Sequence, residues 1–151
     1  MRPFLVTASL ALATASCPAL AAGGPQCPAS VTVTAQPDAP GGWAPYSGRD
    51  SHPFIGITLI EGDRTEQMAS AARTTLAPDR EARHARRLIQ LWEFDTRQMG
   101  KIFVLCRYRD TQATLAADLP RHTRRCTLTL ETDLGGAVLD DPKTPPQFDC
   151  R

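Results

Sequence analysis

Beyond residue 22 the chain has no apolar run approaching the roughly 20 residues that a membrane-spanning helix needs, so no stable membrane insertion is expected. It also lacks a surplus of either charge. The 151 residues carry 17 Lys and Arg against 16 Asp and Glu, and removing Arg2 with an N-terminal leader leaves 16 of each. A neutral chain is poorly suited to general binding of nucleic acid or anionic lipid, which calls for a basic excess. Local catalytic signatures are missing as well. There is no G-x-S-x-G elbow, no H-E-x-x-H, no phosphate-cradling glycine loop and no dinucleotide fingerprint. His52, His84 and His122 are far apart, each beside a turn or a charged stretch. A site assembled by the fold stays open, since such sites are recognised by geometry and not by order. The sequence itself names no catalytic, cofactor-binding or metal-binding residue, and the expectation is a protein that is not an enzyme.

What is present begins with a leader. Met1-Arg2 gives a short positive start, Pro3 to Ala15 is nearly uncharged, and Ala19-Leu20-Ala21 supplies the small-x-small pattern of a signal-peptidase site. The expected organisation is a signal peptide over 1–21 and a single disulfide-stapled β-rich domain over 22–151, exported to the periplasm. Cys17 offers a lipoprotein alternative, but Thr14 stands where that motif wants leucine.

Four cysteines outlast the leader: Cys27, Cys106, Cys126 and Cys150. An even number in an exported chain implies two disulfides with three possible connectivities. Zinc competes poorly, because no pair has C-x-x-C spacing and no histidine lies close to a cysteine.

Strand signals dominate the remainder. "CPASVTVTAQ" alternates Val31 and Val33 with threonines after Pro28. The stretch 37–48, with three prolines and three glycines, reads as an irregular loop carrying Trp43 and Tyr46. "HPFIGITLIEG" is dense in β-formers. Asp63, with Glu66 three residues on, makes a capping-box pattern for one short helix, which Pro78 stops. "DREARHARR" reads as a charged, solvated stretch. "RLIQLWEFD", "KIFVLCRYR" and "RRCTLTLE" read as three strands, with "TQATLAADLP" a further short one. The fold class is mainly β, an antiparallel sheet arranged as a sandwich or curled meander.

One register unites the second half. Turning the chain at "TRQMG" sets Phe94, Trp92, Gln90 and Leu88 beside Ile102, Val104, Cys106 and Tyr108 on one face. Placing Cys106 against Cys126 then sets Val104 by Leu128 and Ile102 by Leu130. This pairs Cys106 with Cys126, worth about 3 kcal/mol of chain entropy, and leaves Cys27 for Cys150. It also sets Arg107 opposite Arg125 on the outer face, where like charges repel unless Glu93, Glu131 or a partner screens them. A solvated face of local ion pairs is the simpler reading. An acidic protein partner is the sharper one, for which arginine is well suited. Trp43 has two readings too, a plug folded back on the end of the sheet or an exposed interface anchor, the plug being favoured. Trp43, Tyr46, Arg107 and Arg125 are therefore the candidate partner-binding residues.

"CPASVTV", a Gly-Gly-Trp loop, "FIGITLIEG", "LAPD", "LWEF", "CRY", "LAADLP" and a terminal "CR" occur in that order. The series resembles a family of small exported proteins of Gram-negative bacteria without assigned activity, some encoded in type VI secretion islands. The resemblance implies a periplasmic protein-binding module, an immunity or inhibitor protein that blocks a toxin acting on the envelope. Its partner would be a protein, with no cofactor. An envelope structural protein without a single partner is the alternative, and a periplasmic hydrolase the less favoured one.

Overall fold

A computed structural model describes residues 23–95, 97 and 100–151. The expected leader and the Cys17 lipoprotein alternative lie outside these residues. Among the described residues nine strands form two antiparallel sheets, with one short helix beside them. In the first, β1 (Ser30–Ala35), β2 (Gly48–Glu61), β6 (Ile102–Tyr108) and β7 (Thr114–Asp118) lie side by side, and the two-residue β3 (Thr75–Leu76) joins the far end of β2. In the second, the order is β4 (Arg80–His84), β5 (Arg87–Glu93), β8 (Arg125–Glu131) and β9 (Gln147–Cys150).

Alternation explains why the sheets stack. On β8, Cys126, Leu128 and Leu130 are buried while the residues between them are half-exposed. On β6, Ile102, Val104, Cys106 and Tyr108 face the same core from the other sheet, joined by Phe54, Ile57 and Leu59 of β2. Phe54 and Tyr108 meet edge to face at 6.1 Å, a contact worth about 1 kcal/mol beyond area burial. Trp92, 4% exposed, belongs to this core and donates its indole N–H to the Leu76 carbonyl at 3.1 Å, a bond from the second sheet to the first. The outward set of β6, Phe103 and Leu105, forms a second small buried cluster with Ile60. β6 is thus buried on both faces, which is why "IFVLC" is an unbroken apolar run.

The expected hairpin of the 88–94 and 102–108 strands does not form. β6 has both edges occupied, by β2 and β7, and β5 is held between β4 and β8. The chain crosses from one sheet to the other between Glu93 and Ile102, a distance of about 10 Å for stacked sheets. Of the residues the expected register turned inward, Leu88, Trp92, Ile102, Val104, Cys106, Tyr108, Leu128 and Leu130 are in the core, Phe94 is half-buried against it, and Gln90 is half-exposed. They arrive from opposing sheets, because alternation fixes which side of a strand turns inward and not which strand lies beside it.

The disulfides follow. Four cysteines make two bonds, but the connectivity is Cys27–Cys106 and Cys126–Cys150. Cys126 is directly opposite Cys150 on neighbouring strands, so the cross-strand geometry expected for Cys106 with Cys126 is realised by another pair. Cys27 reaches β6 because the segment before β1 runs from β9, where the Gly24 N–H meets the Cys150 carbonyl, to the first sheet, where the Phe54 N–H meets Ala29.

The helix α1 (Arg64–Ala69) starts where the capping pattern placed it, with the Asp63 carboxylate accepting from the Thr65 and Glu66 backbone N–H groups. "DREARHARR" is solvated as expected, but its first part is a strand, the exposed edge strand β4, turned into β5 by Ala85-Arg86. Ala85 takes φ +52, a conformation usually given to Gly or Asn, so no turn signal marked it.

Candidate partner-binding surface

β2 is longer than the strand beside it. Its residues Phe54–Glu61 pair with β6, whereas Gly48–Pro53 pair only with β1. The two-stranded ribbon of β1 and the start of β2 therefore projects past the end of β6 as an arm. Six residue pairs give it a length of about 20 Å.

The arm is fixed at its root. Cys27 binds Cys106, the Arg109 N–H donates to the Pro53 carbonyl at 3.0 Å, and His52 Nδ1 lies 2.8 Å from the Arg109 carbonyl. A carbonyl can only accept, so Nδ1 carries the proton. Arg109 also contacts Asp141 at 3.2 Å, tying the C-terminal segment to the same place. Gly56, at φ +155, stands at the irregularity where β2 passes from one partner to the other. A Cβ there would lie 3.2 Å from an Arg107 guanidinium nitrogen.

At the tip, Trp43 is 78% exposed and Tyr46 89%. Trp43 does not fold back as a plug. The core is closed by the two sheets, and the loop it sits on begins at the far end of the ribbon. A second projection leaves the same end of the sandwich. Thr132 bonds to Arg86 and bridges to Val138, and the turn from Asp133 to Ala137 presents Leu134, 93% exposed. Leu134 was not among the expected residues. A lone leucine between Asp133 and Gly135-Gly136, in a turn with no strand to bury it, is the signal that could have found it.

The structure does not bring Arg107 and Arg125 together. Arg107 is on β6 beside Gly56 and Thr114, on the outer face of the first sheet. Arg125 is on the outer face of the second, opposite Glu93, whose carboxylate it meets at 2.6 Å. Arg80 approaches the same carboxylate at 3.6 Å. Glu93 thus screens Arg125 as the charge pattern required, but no single basic patch contains both arginines.

The three histidines also stay apart. His52 is at the arm's root, His84 ends the exposed β4, and His122 is exposed in the turn after Pro120. Among the described residues no cluster of His, Cys, Asp and Glu is arranged to hold a metal. A cavity of about 380 Å³ lies at the arm end, between the β4–β5 turn and the tail, lined by Arg86, Arg87, Glu131, Thr144 and Gln147. Within it the Glu131 carboxylate is taken by the Thr144 N–H at 2.8 Å. At the opposite end, Lys101 and the helix N–H groups hold the Asp63 carboxyl below the usual range, and Asp63 in turn raises Lys101. Burial pushes the Tyr108 phenol up.

Comparison with known proteins gives a consistent picture. The sequence profile of a family described as "Type VI secretion system Tli immunity protein" matches residues 48–151. The span contains Arg107 and Arg125 but not Trp43 or Tyr46. A protein of Azospirillum brasilense, named "Uncharacterized 16.3 kDa protein in trpG 5'region", is 53% identical over 151 residues, covering 100% of this chain and 99% of the relative. No solved structure matches.

Proposed function

The chain belongs to the Tli immunity protein family of type VI secretion systems, and from that membership we propose that it is a periplasmic, non-enzymatic binding module that neutralises a toxin acting on the cell envelope. The observation that carries this reading in the structure is the arm. Two large aromatic side chains stand in solvent on a support fixed by a disulfide, where a monomeric protein gains nothing from exposing them. Aromatic anchors of this kind dominate protein interfaces, and a support fixed before binding lowers the ordering cost of association.

Two disulfides favour an oxidising compartment, which supports the periplasm as the place of action. The leader expected over 1–21 supplies the route. Trp43 and Tyr46 are the proposed contacts. Arg125 is occupied by Glu93, and Arg107 lies on another face, so the two arginines do not form one docking patch.

Co-expression tests this directly. A toxin encoded beside the gene is directed to the periplasm, with the exported protein or a leaderless form starting at residue 22. The exported protein should restore growth and the leaderless form should not. Equal protection by both, or by neither, overturns the proposal.

A further inference from the structure

The arm end also bears on the shape and chemistry of the surface it meets. Resting on the immunity reading above, we infer that the arm tip is a wedge that seats Trp43 and Tyr46 in a concave, apolar, uncharged cleft of the toxin.

Projection comes first. The inner end of the ribbon is held at the sandwich, with Val31 against the core and His52 and Pro53 hydrogen-bonded to Arg109. The outer pairs, Val33–Ala35 with Gly48–Asp50, carry the tip beyond it, so the tip can enter a depression ahead of the sheets. Two side chains that are 78% and 89% exposed on one projecting loop are open on most of their surface, and a concavity buries more of that surface than a flat partner would.

Charge comes second. From Pro28 to Gly48 the single charged residue is Asp38. The tip therefore carries almost no charge to steer it, and an acidic or basic target would leave its own charges desolvated and unpaired against it. A cleft lined by apolar side chains, with a few polar groups for the tyrosine hydroxyl and the indole N–H, matches what the tip offers.

Stiffness comes third. Pro37, Pro40 and Pro45 restrict the loop, and the Trp43 N–H closes a turn onto the Pro40 carbonyl at 3.1 Å. Leu134 projects from the same end and gives the rim a second apolar contact.

The test uses the mature protein, labelled with 5-fluorotryptophan, and the toxin encoded beside it. The chain has two tryptophans. Trp92 is already in the core, so its fluorine resonance should shift little on binding and show no solvent isotope effect in either state. Trp43 should show an isotope effect when free and lose it in the complex. Trp43→Ala and Tyr46→Ala should each weaken binding at least 30-fold, and Leu134→Ser about fivefold, with unchanged far-ultraviolet spectra. Raising salt from 50 to 500 mM should change affinity by less than threefold. Normal affinity of the Trp43→Ala, Tyr46→Ala double variant would overturn the wedge and leave the immunity reading intact, as would a retained isotope effect or a tenfold loss with salt. No binding of the toxin by the unaltered protein would overturn both.

Discussion

Cys106 and Cys126 enter one core from opposing sheets, and neither is bonded to the other. Cys106 holds Cys27 across a sequence separation of 79, and Cys126 holds Cys150 across 24. Closing the longer loop is worth about 4–5 kcal/mol by the chain-entropy estimate and the shorter about 3. Replacing Cys27 and Cys106 by alanine should therefore cost more in urea melts than replacing Cys126 and Cys150. Peptide mapping without reductant should recover these two pairs and no Cys106–Cys126 peptide.

The indole of Trp92 ties the second sheet to β3 of the first through the Leu76 carbonyl. Trp92→Phe keeps most of the apolar surface but removes the donor and leaves a small void. A loss of about 1–3 kcal/mol is expected, read as a lower urea midpoint with an unchanged slope. An unchanged midpoint would mean that the bond contributes nothing net.

The pair of Asp63 and Lys101 predicts a pH window. Asp63 has a lowered folded pKa, so its contribution is present above its unfolded value, about 4, and is lost as pH falls through the folded one. Lys101 has a raised folded pKa, so its contribution is present below its unfolded value, about 10.4, and is lost as pH rises through the folded one. Both contribute fully between about pH 4 and pH 10. Thermal melts of Lys101→Met should differ from the unaltered protein at pH 7, and the difference should shrink as pH falls below the ordinary aspartate range. A difference that stays constant throughout acid titration would locate the effect elsewhere.

Arg125 and Arg107 should respond separately. Arg125→Gln breaks a half-exposed ion pair with Glu93 and should cost no more than about 1 kcal/mol. Arg107→Gln should cost less still, and the double variant should equal the sum, since the two stand on opposite outer faces. Non-additivity above about 0.5 kcal/mol in a double-mutant cycle would show a link that this geometry does not provide.

Much of this architecture was legible in the residues. The alternation of β8, the helix start at Asp63, the burial of Trp92 and the inward set of β6 all follow from local periodicity and capping. Partner choice does not. Ile102, Val104 and Cys106 present the same apolar side whether the neighbour lies beside them or across a core, so a two-sheet arrangement and a single meander satisfy one pattern. β4 was hidden for another reason. Arg80 to His84 has every side chain in solvent, and its turn uses an alanine at φ +52, so neither burial nor turn chemistry marks it. The arm was hidden by length: nothing in "SGRDSHPFIG" says that β2 begins at Gly48, six residues before its pairing with β6. Its exposed aromatics were weighed in the sequence, but their position depends on that overhang.

The central proposal is that this protein, a member of the Tli immunity family, binds a type VI secretion toxin. Isothermal titration of the oxidised mature protein into that purified toxin tests it most directly. The account predicts one-site saturation with a Kd in the nanomolar range, a negative heat-capacity change from apolar burial, and marked weakening by dithiothreitol, which frees the arm's root. No heat and no complex at 10 μM of each protein would contradict it.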